Sequence, residues 1–158
     1  MNDELSLLYQ DVVLDHKRHP RHYGPLPDAT CESHGHNPLC GDTITLRLRT
    51  RGERIEDIAF EGQGCAICMA SASLMTEAVH GARLVDARVA LRAMHRMLTL
   101  DGEVDEPVLG KLALLQGVRR FPSRIKCAAL AWHALGKCLG EPAAGTQERE
   151  QGDEAGRA

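Results

Sequence analysis

The chain has 158 residues, 43% of them hydrophobic, and a formal net charge of −3. This length suits one domain with one core, and the absence of a basic block argues against nucleic acid as the main partner. The sequence shows neither a secretory signal nor a run of the roughly 18 apolar residues that a membrane span needs, so we expect a soluble cytoplasmic protein with no membrane partner.

The amino-terminal segment predicts one amphipathic helix. Apolar residues such as Leu5, Leu8 and Val12 recur at helical spacing over residues 4–17. Prolines and a glycine within residues 20–27 then end the helix, because neither residue type continues it comfortably.

A small antiparallel sheet is predicted next. Residues 43–50 alternate between apolar and polar side chains, which predicts a half-buried strand, and residues 54–62 predict the returning strand. The alternation slips along this second strand and indicates a β-bulge near Glu56 and Asp57. Residues 29–34 are a candidate third strand.

Helices dominate the rest of the chain. Small residues and methionines after the Gly-Gln-Gly turn predict a helix that ends near Gly81. Further helices are predicted over residues 84–98, 107–118 and 121–139, with a loop at 100–106. Early strands and late helices predict an α+β fold, in which helices pack on one face of a three-stranded antiparallel sheet. We assign residues 1–140 to this domain and expect the polar residues 141–158 to be a disordered tail.

The chain has six cysteines. An even number could form disulfides, but these are rare in a reducing compartment, where cysteines more often bind metal or carry reactive sulfur. Cys40 and Asp42 lie in the turn that enters strand 43–50, and Cys65 follows the hairpin and begins a helix. Because a hairpin brings the start of its first strand beside the end of its second, these three residues should be neighbours. Cys127 lies early in the last helix.

These four residues are candidate metal ligands. Three thiolates and one carboxylate would suit zinc, and sulfur ligands can also hold an iron–sulfur cluster. The helix N-terminus favours a thiolate at Cys65, and the oxygen ligand Asp42 suggests a site able to change its coordination. The alternative at this stage is a set of unpaired buried cysteines with an aspartate that satisfies its own turn.

Several motifs resemble one known family. The stretches HNPLCGD, FEGQGCAICMASASLM and LLQGVRRFPSRIKCAALAWHAL are similar to the IscU/NifU amino-terminal family of iron–sulfur assembly proteins, as is the opening segment LYQDVVLDHKRHPRHYGPL. The resemblance runs from about Leu5 to Leu139 and implies the SufE/NifU-like fold.

Two features resemble the SufU branch of this family more than its scaffold branch. The interval from Cys65 to Cys127 is longer than in IscU-type scaffolds, because of an insertion around residues 97–118. Lys126 stands where scaffold members carry a histidine that can ligate the metal. The resemblance then implies a zinc ion held by Cys40, Asp42, Cys65 and Cys127.

The same resemblance implies an activity. SufU-like proteins accept persulfide sulfur from a pyridoxal-phosphate-dependent cysteine desulfurase of the SufS kind and pass it towards a downstream SUF cluster scaffold. Cys40 is the implied catalytic acceptor, which a desulfurase side chain frees by ligand exchange. Two alternatives are a scaffold that assembles and transfers a nascent iron–sulfur cluster, and an inert structural zinc domain.

The remaining cysteines and cations have weaker assignments. Cys68 stands where the family usually has serine; it could form a Cys-X-X-Cys chelate with Cys65 in place of Asp42, but we favour a small residue filling a tight helix contact. Arg124 and Lys126 are candidate partner contacts near the site, and for Arg124 the alternative is a solvated cation at the helix start. Cys138 lies roughly 16 Å along a helix from Cys127 and cannot share its metal. We expect Cys138, like Cys31, to be a small apolar side chain.

Overall fold

A computed structural model describes residues 3–99 and 101–141. Residues 142–158, most of the expected disordered tail, lie outside this range. In the described range no helix has both the length and the apolar character needed to cross a membrane. The helices and strands are α1 (Asp3–Arg18), β1 (Cys31–Asn37), β2 (Asp42–Arg51), β3 (Arg54–Gln63), α2 (Ala66–Val79), α3 (Leu84–Met97), α4 (Glu106–Leu109) and α5 (Ile125–Leu139).

The three strands form one antiparallel sheet in the order β1-β2-β3, which confirms the predicted fold class. The predicted bulge is present as well. Arg49 pairs with Asp57 and Thr50 pairs with Ile55, so that Glu56 is the extra residue on β3. The slip in apolar alternation along β3 is therefore the signature of this bulge.

The helices cover one face of the sheet. Alternating β2 side chains such as Ile44, Leu46 and Leu48 are buried in a core shared with α2 and α5. The residues between them lie on the opposite face, where Arg47 pairs with Glu61 over 2.7 Å. This two-sided pattern is what the alternation along β2 dictates.

The insertion folds differently from the single short helix predicted over residues 107–118. It consists of the one-turn α4 and a 3-10 segment, Gly110–Arg120. Gly110 has a φ of +52°, which interrupts an α-helix at that point. At Gly117 a side-chain carbon would lie 3.0 Å from the Tyr9 ring, so the glycine lets this segment pack closely on α1.

Cys31 and Cys138 form a disulfide, with their Cα atoms 5.9 Å apart. The expectation that each is merely a small apolar side chain is therefore wrong. Spacing along one helix says nothing about which strand lies across from it, and here β1 packs against α5. The Ser33 hydroxyl donates to the Ala134 carbonyl over 2.7 Å, which aligns the start of β1 with the end of α5.

We expect Cys31→Ser to lower the free energy of unfolding by roughly 3–5 kcal/mol, because the lost bond closes a loop between residues 107 apart in sequence. Urea unfolding without reductant measures the loss. Wild type in excess reductant should match the variant, and Cys138→Ser should behave in the same way. Equal stability of wild type and variant without reductant would rule out a stabilising bond.

Two histidines meet between α3 and α5. The rings of His95 and His133 lie 5.3 Å apart between centroids, and His95 Nε2 is buried without a hydrogen-bond partner among the described residues. Burial, followed by the neighbouring His133, lowers the pKa of His95 to about 4. The folded chain therefore holds His95 neutral at pH values where the unfolded chain would protonate it.

This difference predicts a loss of stability in mild acid. Below a pH of about 6.5, the pKa of histidine in the unfolded chain, the unfolded state binds a proton that the folded state does not. The free energy of unfolding therefore falls as the pH drops towards the folded pKa of His95, by about 1–2 kcal/mol between pH 7 and pH 5. His95→Leu should flatten this part of the pH profile of urea unfolding. His36→Leu, at an exposed strand position, is the control, and an equal flattening in both variants would contradict the assignment.

Candidate metal and sulfur site

The turn between β1 and β2 presents Cys40 to solvent. Asn37 and Asp42 are the last pair of the two strands, and the Asn37 carbonyl accepts the backbone N–H groups of Cys40 and Gly41 over 3.2 and 2.8 Å. Gly41 has a φ of +72°, which other residues rarely adopt. This closed turn leaves the Cys40 side chain exposed, next to the buried side chains of Asp42 and Cys127.

Three candidate ligands converge at this turn. One ligand atom each from Cys40, Asp42 and Cys127 lies within 4.8 Å of the other two. The sulfur atoms of Cys40 and Cys127 are 3.5 Å apart. Cys127 is fully buried and Asp42 is 1% exposed, so Cys40 is the member of the cluster that a second protein can reach.

Asp42 is held in place but only partly satisfied. Its Oδ1 accepts the backbone N–H of Cys65 over 3.2 Å, as the hairpin argument predicts for these neighbours. Its Oδ2 is buried and has no hydrogen-bond partner within the described part of the chain. A buried carboxylate oxygen without a donor is costly, and a bound cation would satisfy it.

Cys65 lies at the edge of this cluster and outside its 4.8 Å group. It is the N-cap of α2, and its sulfur accepts the backbone N–H of Cys68 over 3.4 Å. Cys68 itself is fully buried; burial, and then the neighbouring charges of Asp42, Cys65 and Cys40, raise the pKa of Cys68 to about 12. Cys68 therefore packs as a protonated thiol beneath the site.

Asn37 is a site residue that the sequence reasoning missed. Its side-chain Nδ2 donates to the Cys127 sulfur over 3.9 Å, while its Oδ1 accepts the Leu39 N–H over 3.2 Å. Burial and then the adjacent Asp42 raise the pKa of Cys127. The sequence offered no signal for this contact, because it depends on where α5 places the Cys127 sulfur.

Two exposed cations border Cys40. Arg124 Nη1 donates to the Cys40 sulfur over 3.7 Å, which places this residue at the site. Lys126 lines the same surface cleft of about 630 Å³, together with Leu39 and Cys40. The cleft therefore offers an anionic sulfur species a positive rim and an apolar edge.

The chain matches the model of the NifU-like N terminal domain over residues 8–128. It belongs to this family. It is 42% identical over 137 residues to the zinc-dependent sulfurtransferase SufU of Bacillus subtilis, covering 86% of this chain and 92% of the relative. It is 41% identical over 136 residues to the iron-sulfur cluster assembly scaffold protein IscU of Streptococcus pyogenes, covering 86% and 85% of the two chains.

Solved structures agree with this membership. The crystal structure of a putative iron-sulfur cluster assembly scaffold protein for the SUF system from Fervidobacterium islandicum matches with a TM-score of 0.79 and 33% identity, covering 84% of this chain and 97% of that one. The resemblance to the IscU/NifU family is thus confirmed. Of the two relatives above, which are almost equally similar to this chain, one is named a sulfurtransferase and the other a scaffold protein.

Proposed function

We propose that this NifU-like protein is a zinc-dependent sulfur acceptor in iron–sulfur cluster assembly. It takes persulfide sulfur from a SufS-like cysteine desulfurase in the cytoplasm and passes it to a downstream SUF cluster scaffold. The observation that carries the proposal is the contrast within the ligand cluster, where an exposed Cys40 sits against the buried Cys127 and Asp42.

The donor set fits zinc. Two thiolates and a carboxylate are ligands that zinc accepts, and the buried Asp42 Oδ2 lacks any other partner in the described chain. Cys40, Asp42 and Cys127 would hold the ion, with Cys65 at the edge as the fourth ligand. Bound zinc lowers the pKa of its cysteine ligands and keeps them as thiolates at neutral pH.

Cys40 supplies the nucleophile. Its thiolate attacks the outer sulfur of the desulfurase persulfide, a new S–S bond forms on Cys40, and the donor's own S–S bond breaks. The desulfurase cysteine leaves as a thiolate, and Cys40 carries the transferred sulfur as a persulfide. Solvent exposure of Cys40 on a tight turn lets it meet the donor while Asp42 and Cys127 stay buried.

Arg124 stabilises the sulfur species at Cys40. Its guanidinium is 3.7 Å from the Cys40 sulfur. At this distance its positive charge can stabilise first the Cys40 thiolate and then the Cys40 persulfide anion. Lys126 adds a second positive charge to the same cleft. Both cations are exposed and can also contact acidic groups on the desulfurase.

The test is direct transfer of sulfur. The zinc-loaded chain is incubated with a cysteine desulfurase and free cysteine. The chain is then alkylated and digested, and the masses of its peptides are measured. We expect one additional sulfur on Cys40 and faster turnover of the desulfurase. A Cys40 that gains no sulfur while the desulfurase becomes persulfidated would overturn the proposal.

A cluster scaffold is the second candidate, and the 41% identity to a scaffold-named relative favours it. It predicts visible absorption after anaerobic reconstitution with iron and sulfide, and handover of the cluster to an apo-acceptor. Stoichiometric zinc that survives purification would count against it. Lys126 is exposed beside Cys127 and, as an ammonium, offers a cluster no ligand.

A further inference from the structure

Cys65 and Cys68 form a Cys-X-X-Cys pair at the start of α2. Cys65 is the N-cap and Cys68 lies in the first turn. The Cys68 backbone N–H donates to the Cys65 sulfur over 3.4 Å, so this sulfur lies over the turn from which the Cys68 side chain projects. Cysteines with this spacing, at a helix N-terminus, form the redox-active motif of disulfide oxidoreductases.

The two thiols differ in access. Cys65 is partly exposed, whereas Cys68 is 0% exposed. An incoming small molecule therefore meets Cys65 first, and Cys68 can react only with a sulfur already held at the start of α2.

We propose that Cys65 and Cys68 form a thiol–disulfide exchange site whose substrate is a small-molecule disulfide. The Cys65 thiolate attacks one sulfur of this disulfide, forms a mixed disulfide and releases the first small thiolate. Cys68 gives its proton to that thiolate and attacks the Cys65 sulfur, which expels the second thiolate. The pair is oxidised to an intramolecular disulfide, and the small disulfide is reduced to two thiols.

This chemistry removes Cys65 from the candidate ligand set. The oxidised chain keeps Cys40, Asp42 and Cys127 but has no thiolate at the edge of the cluster. Oxidation of this pair would thus weaken metal binding and leave the Cys40 thiol unmodified. The exchange itself needs neither metal nor desulfurase, so it can fail or succeed independently of the proposed sulfur transfer.

One competing pair must be separated from it. Cys40 and Cys127 have sulfur atoms 3.5 Å apart and could oxidise instead. Tryptic cleavage distinguishes the two outcomes, because Cys65 and Cys68 share the peptide 55–83, whereas Cys40 lies in 22–47 and Cys127 in 127–137. The Cys31–Cys138 disulfide already joins peptide 22–47 to peptide 138–149, so a Cys40–Cys127 bond would add 127–137 to that pair.

The experiment treats the metal-free full-length chain with glutathione disulfide, followed by alkylation and peptide mass measurement. We expect peptide 55–83 to lose both alkylation sites, to weigh two hydrogen atoms less than the reduced peptide and to carry no glutathione. Zinc added beforehand should slow the loss. A peptide 55–83 that stays fully alkylated while 22–47 and 127–137 become cross-linked would overturn the proposal.

Cys68→Ser is the matched control. It keeps Cys65 and the three clustered ligands but lacks the second thiol, so glutathione should remain attached to Cys65. Cys68→Ala gives the same result if serine disturbs the buried position, and circular dichroism verifies the fold of both variants. Release of glutathione from Cys65 in both variants at the wild-type rate would show that Cys68 is not the resolving thiol.

Discussion

Cys40→Ala should reduce sulfur acceptance from a cysteine desulfurase by at least about a hundredfold, because the variant lacks the atom that forms the new S–S bond. Cys40 is the exposed member of the ligand cluster, and its neighbour Cys127 is buried behind it. The measurement compares desulfurase turnover, and sulfur bound per chain, for wild type and variant at equal concentration.

The control for this loss is Cys68→Ser in a reducing buffer. That variant also removes one thiol near the site but leaves the acceptor and the clustered ligands in place, so its turnover should equal that of wild type. Zinc content of each protein is measured in parallel, to separate loss of the nucleophile from loss of metal. Unchanged stimulation of the desulfurase by Cys40→Ala would exclude Cys40 as the carrier.

Local pattern was sufficient for most of the fold. The alternation along β2 and its slip along β3 predicted a hairpin with a bulge, and Glu56 is the bulged residue. Period-two burial is imposed by the pleat of the strand itself, so it is visible in sequence without knowledge of what covers the sheet. The amphipathic α1, over Asp3–Arg18, was visible for the equivalent reason in a helix.

Contacts between elements that are distant in sequence could not be predicted from local periodicity. The disulfide joins Cys31 to Cys138 because β1 lies along α5, and no periodicity in either element specifies this partner. The close approach of Gly117 to Tyr9 of α1 is likewise a contact between segments that are distant in sequence. Both features are decided by tertiary packing, which overrides the local preference of the segment.

One part of the candidate site could be predicted from local sequence pattern, and the other part depends on tertiary packing. Hairpin geometry alone predicts that Asp42 and the start of α2 meet, and the Asp42–Cys65 hydrogen bond shows this contact. The role of Asn37 depends on where α5 delivers the Cys127 sulfur, which the strand pattern does not contain. Cys65 caps α2 and lies outside the 4.8 Å group, so its place as the fourth ligand stays a prediction.

Asp42→Asn should stabilise the metal-free chain and weaken zinc binding, two effects of opposite sign from one substitution. Without metal, the wild-type carboxylate is buried and its Oδ2 has no hydrogen-bond partner among residues 3–99 and 101–141. A neutral amide of the same shape avoids the cost of burying that charge. We expect the free energy of unfolding of the metal-free chain to rise by about 1–2 kcal/mol. Zinc affinity should fall by at least about tenfold, because the anionic oxygen ligand is lost.

Urea unfolding of the metal-free protein and competition with a chromophoric zinc chelator measure the two effects. Asp28→Asn is the control, since it makes the same change of charge at an exposed position and should alter neither quantity. A variant that is less stable without metal and binds zinc as tightly as wild type would show that Asp42 serves only the turn. The predicted pair of results instead means that the fold accepts a destabilising carboxylate in order to hold a metal beside Cys40.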